Sequence, residues 1–118
     1  MNSERLFFKI NEIEPNYYFD SDRSFKVIIS PDIIPESPLG LAAYKYKPGQ
    51  TGPAHTHDTE VEVYYVLKGS GKVRIENQVF PLEPGNVVYI PPQKEHQTKS
   101  CVDDCLEFLA FFVPSIVF

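Results

Sequence analysis

The sequence predicts an all-β fold, a sandwich or barrel of short antiparallel strands. The chain has 118 residues and 11 prolines spread along it, and proline interrupts helices. No 11-residue window has the apolar periodicity of an amphipathic helix. Instead, short segments rich in Val, Ile, Tyr and Phe alternate with turn-forming residues, a pattern typical of sandwiches and barrels.

The strands predicted with most support flank Gly69-Ser70-Gly71, at residues 61–67 and 72–76. They lie in the longest proline-free part of the chain, residues 54–80. The other predicted strands span residues 6–10, 25–30, 41–46, 79–82, 86–90, 95–99 and 106–113. Turn residues separate them, at Pro48-Gly49, Glu76-Asn77-Gln78, Pro84-Gly85 and Pro91-Pro92. We expect the acidic residues 11–24 to form a polar surface loop.

Length and charge exclude several classes of protein. A chain of 13.5 kDa fits one domain, so residues 1–118 are predicted as a single domain with an N-terminal arm over residues 1–24. The net charge of −5 argues against a nucleic-acid partner, which needs a basic face. The longest apolar run, residues 108–113, is far shorter than the roughly 20 residues of a membrane span. Because the N-terminus lacks an apolar signal segment, we expect a cytosolic protein.

The predicted strand over residues 61–67 has two largely apolar faces. Side chains alternate along a strand, which puts Glu62, Tyr64 and Val66 on one face and Val61, Val63, Tyr65 and Leu67 on the other. Large apolar patches rarely stay exposed on monomers. We therefore expect neither face to be open to water, and a second sheet or a second subunit to cover the outer one. The apolar C-terminal segments, residues 108–113 and 116–118, add to this requirement and favour a homodimer.

Two histidines lie two residues apart, at His55 and His57. On an extended strand they point to the same side, with Cα atoms about 6.6 Å apart. Imidazoles at that separation can share one metal ion at about 2.0–2.1 Å from each nitrogen. Glu62 follows His57 at an odd spacing, so it joins them only if the chain turns between the two residues. Residues 58–60, Asp-Thr-Glu, favour such a turn.

This part of the chain resembles the first motif of the cupin family. Gly49, His55, His57, Glu62 and Gly69 occupy every defining position of that motif, which spans residues 49–69. The resemblance as a whole covers about residues 40–113.

Residues 85–100 resemble most of the second cupin motif. Gly85, Pro91 and His96 match it. Gln93 stands where a glycine is usual, and Ser100 where an asparagine is usual. Neither position supplies a metal ligand in the family, so we expect only the turn geometry around Gln93 to differ.

The resemblance to small single-domain cupins implies an antiparallel jelly-roll barrel. It also implies that His55, His57, Glu62 and His96 converge on one divalent transition metal. The alternatives are ordinary, partly buried histidines, or a formed but empty site. Nitrogen and oxygen ligands suit Fe, Mn, Ni, Cu or Zn, so the sequence does not decide the metal. Glu60 and Glu95, near the histidines, are predicted as solvent-facing residues.

Three neutral imidazoles and one carboxylate would leave a 2+ ion with a net charge of +1. Such a site attracts a small anion and can polarise a carbonyl. The resemblance therefore implies a metal-dependent enzyme of the dioxygenase (oxidoreductase) or isomerase type, acting on a small polar or anionic molecule. The alternatives are a non-catalytic module that binds a small molecule or is stiffened by metal, and an interaction protein with a vestigial site.

Strand parity gives candidate pocket residues. Tyr64 shares a face with Glu62, and Tyr44 and Tyr46 share one with each other. Their hydroxyls can hold a polar ligand, or the rings can simply be core. Phe108, Ala110 and Phe112 form one alternating set that we expect to line the interior.

Cys101 and Cys105 flank a short Val-Asp-Asp loop that we expect at a hairpin tip. A disulfide between them is geometrically possible, but the cytosol disfavours it. Their spacing does not favour zinc binding.

Overall fold

The computed structural model describes residues 5–19 and 22–118, and strands dominate it. The strands that it contains in those ranges are, in chain order, β1 (Asn16–Tyr17), β2 (Arg23–Ile29), β3 (Gly40–Tyr46), β4 (Val61–Gly69), β5 (Gly71–Ile75), β6 (Gln78–Leu82), β7 (Val87–Ile90), β8 (His96–Ser100) and β9 (Leu106–Val113). A short 3₁₀ helix covers Ile10–Glu12, and the described ranges hold no α-helix. The predicted all-β class is confirmed.

The strands form two antiparallel sheets. The larger sheet has the order β1-β2-β3-β9-β4-β7, and the smaller one has the order β6-β5-β8. β9 lies between β3 and β4, so strands far apart in sequence become neighbours. Such crossovers are typical of a jelly roll.

The core lies between the two sheets. Glu62, Tyr64 and Val66 of β4 are buried, while the residues between them are more exposed. On the neighbouring β9 the predicted alternating set is also buried, at Phe108, Ala110 and Phe112. Val73, His96, Thr98 and Ser100 face them from the smaller sheet. Burying a phenylalanine fully contributes about 1.5–3 kcal/mol, so β9 supplies much of the stability of the core.

Gly69 makes the passage from one sheet to the other possible. It ends β4, and its φ is +81°, a conformation that glycine adopts without strain. A Cβ at this position would overlap the carbonyl of Cys105. The next residue, Ser70, donates its backbone N–H to that same carbonyl at 2.9 Å. The close approach of the two backbones therefore requires a residue without a side chain.

The N-terminal prediction was wrong in two places. Residues 6–10 are not a strand: residues 5–9 are irregular, and the 3₁₀ helix starts at Ile10. A strand needs a neighbouring strand as its hydrogen-bonding partner. In the N-terminal segment that pairing forms at β1, which pairs with β2. The predicted loop over residues 11–24 accordingly contains β1 and the start of β2. The parts of the predicted arm at residues 1–4 and 20–21 lie outside the described residues.

The outer face of β4 and β7 is open to water in the single chain, so no second sheet of the chain covers this face of the strand predicted over residues 61–67. Tyr65 and Leu67 are 42% and 44% exposed, and Val87 and Tyr89 of β7 are 65% and 61% exposed. Tyr65 pairs directly with Val87, so these side chains form one patch. The smaller sheet packs on the other face, so of the two expected covers only a second subunit is left for this one.

Candidate metal centre

Four side chains converge between the two sheets at one end of the sandwich. They are the four that the sequence pointed to, His55, His57, Glu62 and His96, and one ligand atom of each lies within 4.8 Å of all the others. Glu62 and His96 are buried, His57 is half-buried and His55 is exposed. The group therefore opens toward solvent on the His55 side.

Backbone pairing positions His55 against His96. The segment that contains His55 runs antiparallel to β8, and Gly52 N–H donates to the Thr98 carbonyl at 2.9 Å. His55 N–H donates to the His96 carbonyl at 3.0 Å, and His96 N–H donates back at 2.9 Å. With these two backbone hydrogen bonds in place, the centres of the His55 and His96 imidazole rings lie 4.1 Å from each other.

His57 and Glu62 meet because the chain bends between them. The bend lies at residues 58–59, inside the predicted turn, and it brings Glu62 on the inner face of β4 next to His57. Glu62 Oε1 lies 3.3 Å from His57 Nε2 and 3.0 Å from His96 Nε2. The Gln93 N–H donates to the His57 carbonyl at 2.7 Å, so the turn after β7 also fixes the position of His57.

The polar atoms at the centre fit a metal ion. His55 Nδ1 lies 3.1 Å from the Pro53 carbonyl and His96 Nδ1 lies 3.3 Å from the Lys94 carbonyl. A ring that donates from Nδ1 presents a lone pair at Nε2, the arrangement common in histidine ligands. His57 Nε2, His96 Nε2 and Glu62 Oε1 are buried without a well-aligned hydrogen bond despite their short separations. Buried polar atoms rarely stay unpartnered, and an ion between them would satisfy all three.

The group is electrostatically coupled. Burial alone would raise the pKa of Glu62, but its polar contacts with His57 and His96 outweigh burial and lower it. The same contact with Glu62 raises the pKa of His57. For His55, which is exposed but has lost part of its hydration to the neighbouring residues, this partial desolvation and then the nearby His96 lower the pKa. The carboxylate is thus held ionised, as a metal ligand must be.

The centre opens into a cavity of about 230 Å³. The candidate pocket residues Tyr44, Tyr46 and Tyr64 all line it. The Tyr64 hydroxyl lies 2.8 Å from Thr98 Oγ1, and the Tyr44 ring stacks on Phe108 with ring centres 5.4 Å apart. The tyrosines are therefore both cavity wall and part of the core, the two readings that the sequence left open.

Two further lining residues with polar side chains, Tyr18 and Arg23, were not predicted from the sequence. They lie in the segment that was predicted as a polar loop. The signal that locates them is the pairing of β2 with β3, in which Arg23 is the register partner of Tyr46. Long-range register of this kind is not visible in a single sequence.

The two nearby carboxylates belong elsewhere. Glu95 is exposed and forms an ion pair with Arg74 at 3.0 Å. Glu60 is half-buried and is not among the four converging residues. Cys101 and Cys105 are free thiols, both half-buried, on either side of the turn between β8 and β9.

In the described part of the chain, no helix has the length and apolar character needed to cross a membrane. The cytosolic location stays a prediction.

Comparison with known proteins gives several relatives. A protein of Methanocaldococcus jannaschii is 29% identical over 105 residues, which cover 88% of this chain and 82% of the relative. The glucose-6-phosphate isomerase of Thermococcus gammatolerans is 32% identical over 90 residues, covering 65% of this chain and 48% of the isomerase. The oxalate-binding protein of Thermotoga maritima is 31% identical over 73 residues, covering 62% of this chain and 60% of that protein. The chain thus spans about half the length of the isomerase.

A solved structure and a protein-family model also match this chain. A crystal structure of a predicted oxalate decarboxylase from Thermotoga maritima superposes with a TM-score of 0.83 at 23% identity, covering 92% of this chain and 99% of that one. At that identity the likeness shows the fold alone, and it supports the predicted jelly roll. The family model described as the cupin domain matches residues 43–112, more than half of the sequence. The chain therefore belongs to the cupin family.

Proposed function

We propose that this cupin holds one divalent transition metal through His55, His57, Glu62 and His96, and acts with it on a small anionic molecule. The observation that carries the proposal is the convergence of four ligand atoms within 4.8 Å, three of them buried without an aligned hydrogen bond. Three imidazoles and one carboxylate suit Fe, Mn, Ni, Cu or Zn.

The protein's own groups have separate tasks in this proposal. When bound, the metal supplies Lewis acidity toward an oxygen of the substrate. Glu62 supplies the single negative charge among the four ligands, so a 2+ ion keeps a net charge of +1 that favours an anion. The Pro53 and Lys94 carbonyls orient the His55 and His96 rings. Burial raises the pKa of Tyr46 to about 12, so its hydroxyl donates hydrogen bonds instead of acting as a base.

Cavity size and relatives favour a small substrate. At about 230 Å³, the cavity is smaller than the roughly 300–1,000 Å³ of pockets for drug-sized ligands. The relatives that share this part of the chain are named glucose-6-phosphate isomerase and oxalate-binding protein, and phosphate and oxalate are both anions. We propose an enzyme of the isomerase or dioxygenase type. The second relative's name favours the alternative, a non-catalytic module that binds a small acid.

The metal is tested by elemental mass spectrometry and titration on untagged protein, comparing Glu62→Gln with Glu60→Gln. Both variants replace a carboxylate near His57 by its neutral amide, but only Glu62 belongs to the converging group. We expect about one metal per chain in the wild type and in Glu60→Gln, and an affinity at least about tenfold lower in Glu62→Gln. A wild type that takes up no metal, or equal affinities in the two variants, would refute the proposal.

Turnover separates the enzyme from the binding module. Metal-loaded wild type would be incubated with a panel of hydroxy acids, keto acids and sugar phosphates, with and without dioxygen, and followed by NMR. Conversion that is lost in the metal-poor variant His57→Ala would establish the enzyme. Binding of an acid, seen by calorimetry, without conversion of any panel member would favour the module.

We also propose that the chain works as a homodimer. The exposed apolar patch on β4 and β7, formed by Tyr65, Leu67, Val87 and Tyr89, supports this assembly because such patches are usually covered.

A further inference from the structure

The segment that follows β9, residues 114–118, which we call the strap, supplies part of the wall of the metal cavity. Its Ile116 lines the same cavity as His57 and Glu62. Ile116 is half-buried, whereas its neighbour Val117 is 97% exposed. The strap therefore turns one side chain toward the cavity and the next one toward solvent.

Side-chain packing alone holds the strap against the sheets. β9 ends at Val113, and the strap forms no backbone hydrogen bond to the rest of the described chain. The Ser115 hydroxyl donates to the Ile116 carbonyl, which lies within the strap itself. β9, by contrast, is paired on both sides, with β3 and β4. Segments with few backbone hydrogen bonds open at low free-energy cost, so the strap is suited to separate from the sheets while β9 stays in place.

Phe118 anchors the strap over the start of β3. The centre of its ring lies 5.7 Å from that of Phe112, with the rings almost perpendicular, and 6.5 Å from that of Phe25. Gly40 leaves room for this packing, because a Cβ there would lie 2.5 Å from Ser115 Oγ and 3.1 Å from the Phe118 ring. The φ of Gly40 is not positive, so its backbone also suits a residue with a side chain. Any side chain at Gly40 would therefore compete with the strap for the same space.

We propose that the strap is a displaceable wall of the metal cavity, and that Ile116 sets the size of the molecule that the cavity admits. The role of Ile116 rests on the proposed function, which supplies a metal for that molecule to bind. With the strap in place the cavity measures about 230 Å³. Withdrawal of the Ile116 side chain removes part of its wall and admits a larger molecule.

Thiol labelling of the metal-free protein tests the displacement. Cys101→Ser and Cys105→Ser remove the native thiols, and Ile116→Cys or Val117→Cys then places one thiol on the strap. Labelling by a bulky disulfide reagent is followed with and without Gly40→Val, whose side chain would occupy the space that the strap needs. We expect Gly40→Val to speed the labelling of Ile116→Cys at least about fivefold and to leave that of Val117→Cys unchanged, because an exposed thiol reacts whether the strap is open or closed.

Phe118→Ala frees the strap in a second way and decides the test if Gly40→Val does not fold. It removes the anchoring ring and should also speed the labelling of Ile116→Cys. Labelling of Ile116→Cys that neither folded variant changes would overturn the displacement. So would a labelling rate in otherwise unaltered protein that rises with urea in step with global unfolding, since local opening exposes little surface.

Cobalt-loaded protein tests the role of Ile116, because the visible spectrum of the metal reports a molecule that binds to it. Imidazole and the larger phenylimidazole are titrated into wild type, Ile116→Ala and Val117→Ala, and the cobalt content of each sample is measured. We expect Ile116→Ala to raise the affinity for phenylimidazole relative to imidazole at least about tenfold, at unchanged cobalt content. Val117→Ala should keep the ratio of the wild type.

The outcomes of the two experiments separate the claims. The same affinity ratio in all three proteins would overturn the role of Ile116 and leave the metal proposal standing. A wild type that takes up no cobalt, or whose cobalt binds neither imidazole, would overturn the proposed function and the role of Ile116 with it. The labelling of metal-free protein decides the displacement of the strap in either case.

Discussion

The tyrosines beside the cavity keep their protons well into alkaline solution. Burial, followed by nearby Arg23 acting in the opposite direction, leaves the pKa of Tyr46 raised to about 12. Burial also raises the pKa of Tyr44 and of Tyr64, and the charge of Glu62 adds to the effect at both. At neutral pH these side chains are therefore neutral phenols, each with a proton to donate.

This predicts a loss of stability at high pH. In the unfolded chain tyrosine ionises near pH 10, whereas folded Tyr46 holds its proton to about pH 12. Between these values the folded state binds more protons, so the free energy of unfolding falls as pH rises, by up to about 1.4 kcal/mol per pH unit for each such group. Urea denaturation of metal-free protein between pH 9 and 11.5 measures this slope.

Two matched variants isolate the contribution of Tyr46. Tyr46→Phe removes one buried hydroxyl and should make the slope less steep, whereas Tyr89→Phe, with its side chain 61% exposed, should leave it unchanged. A slope that both variants share with the wild type would show that buried tyrosines are not its source.

Spacing indicated that His55, His57 and Glu62 could meet, and the cupin resemblance added His96, but neither pointed to Arg23 in the cavity wall. His55 and His57 share one side of an extended segment, and Glu62 could join them only through a turn, which the structure has at residues 58–59. Arg23 carries no such local signal. It reaches the cavity because β2 pairs with β3, and a partner that distant in sequence is set by the packing of the whole sheet.

Among the elements, the turn between β7 and β8 contains a residue, Gln93, that departs from the family pattern. Gln93 stands where the resemblance expects glycine, yet its φ is +66°, in the left-handed region that glycine favours. The turn keeps this conformation, and the Gln93 N–H donates to the His57 carbonyl. The Gln93 side chain is exposed, so burial of that side chain does not offset the strain of the left-handed backbone.

Gln93→Gly should therefore stabilise the protein. Left-handed backbone costs a residue with a Cβ about 1–2 kcal/mol, and the extra freedom of glycine in the unfolded chain removes part of that gain. We expect a net increase of about 0.5–1 kcal/mol in the free energy of unfolding, measured by urea denaturation.

The neighbouring exposed Lys94 provides the control, because its φ is not positive. Lys94→Gly should destabilise by a similar amount, since only the entropic cost of glycine applies there. If both glycine variants are destabilised equally, the left-handed turn stores no strain that glycine relieves.

The other departure from the family pattern, Ser100, is buried and hydrogen-bonded to the backbone. The Ser100 hydroxyl donates to the Lys47 carbonyl at 2.6 Å and accepts the Gln50 N–H at 2.9 Å. One buried side chain thus ties the segment before Gly52 to β8.

The element boundaries that were predicted well, such as β3, β4 and β9, belong to strands with strong apolar patterns. The failed strand over residues 6–10 is apolar too, but Leu6 and Phe7 remain more than 75% exposed, because apolar character does not supply a ladder partner.

At the scale of the whole molecule, one face of the larger sheet is covered unevenly. Ile10, Ile13 and Pro15 of the N-terminal segment border a cavity with Ala43 and Leu67 on that face. The patch of Tyr65, Leu67, Val87 and Tyr89 lies further along it and is open in the single chain. A second copy of the chain would pack this same patch against the patch of the first copy. One isologous contact would then cover the patch on both copies.

Sedimentation equilibrium tests this assembly with two valines as a matched pair. Val87 on β7 and Val79 on β6 are 65% and 58% exposed, but only Val87 belongs to the patch. We expect the wild type and Val79→Lys to sediment at twice the chain mass of 13.5 kDa, and Val87→Lys to shift toward a single chain. Two lysines facing each other across a symmetric contact repel each other and are costly to desolvate. A wild type that stays at the mass of one chain at millimolar concentration would refute the dimer, and equal behaviour of the two lysine variants would move the contact away from this patch.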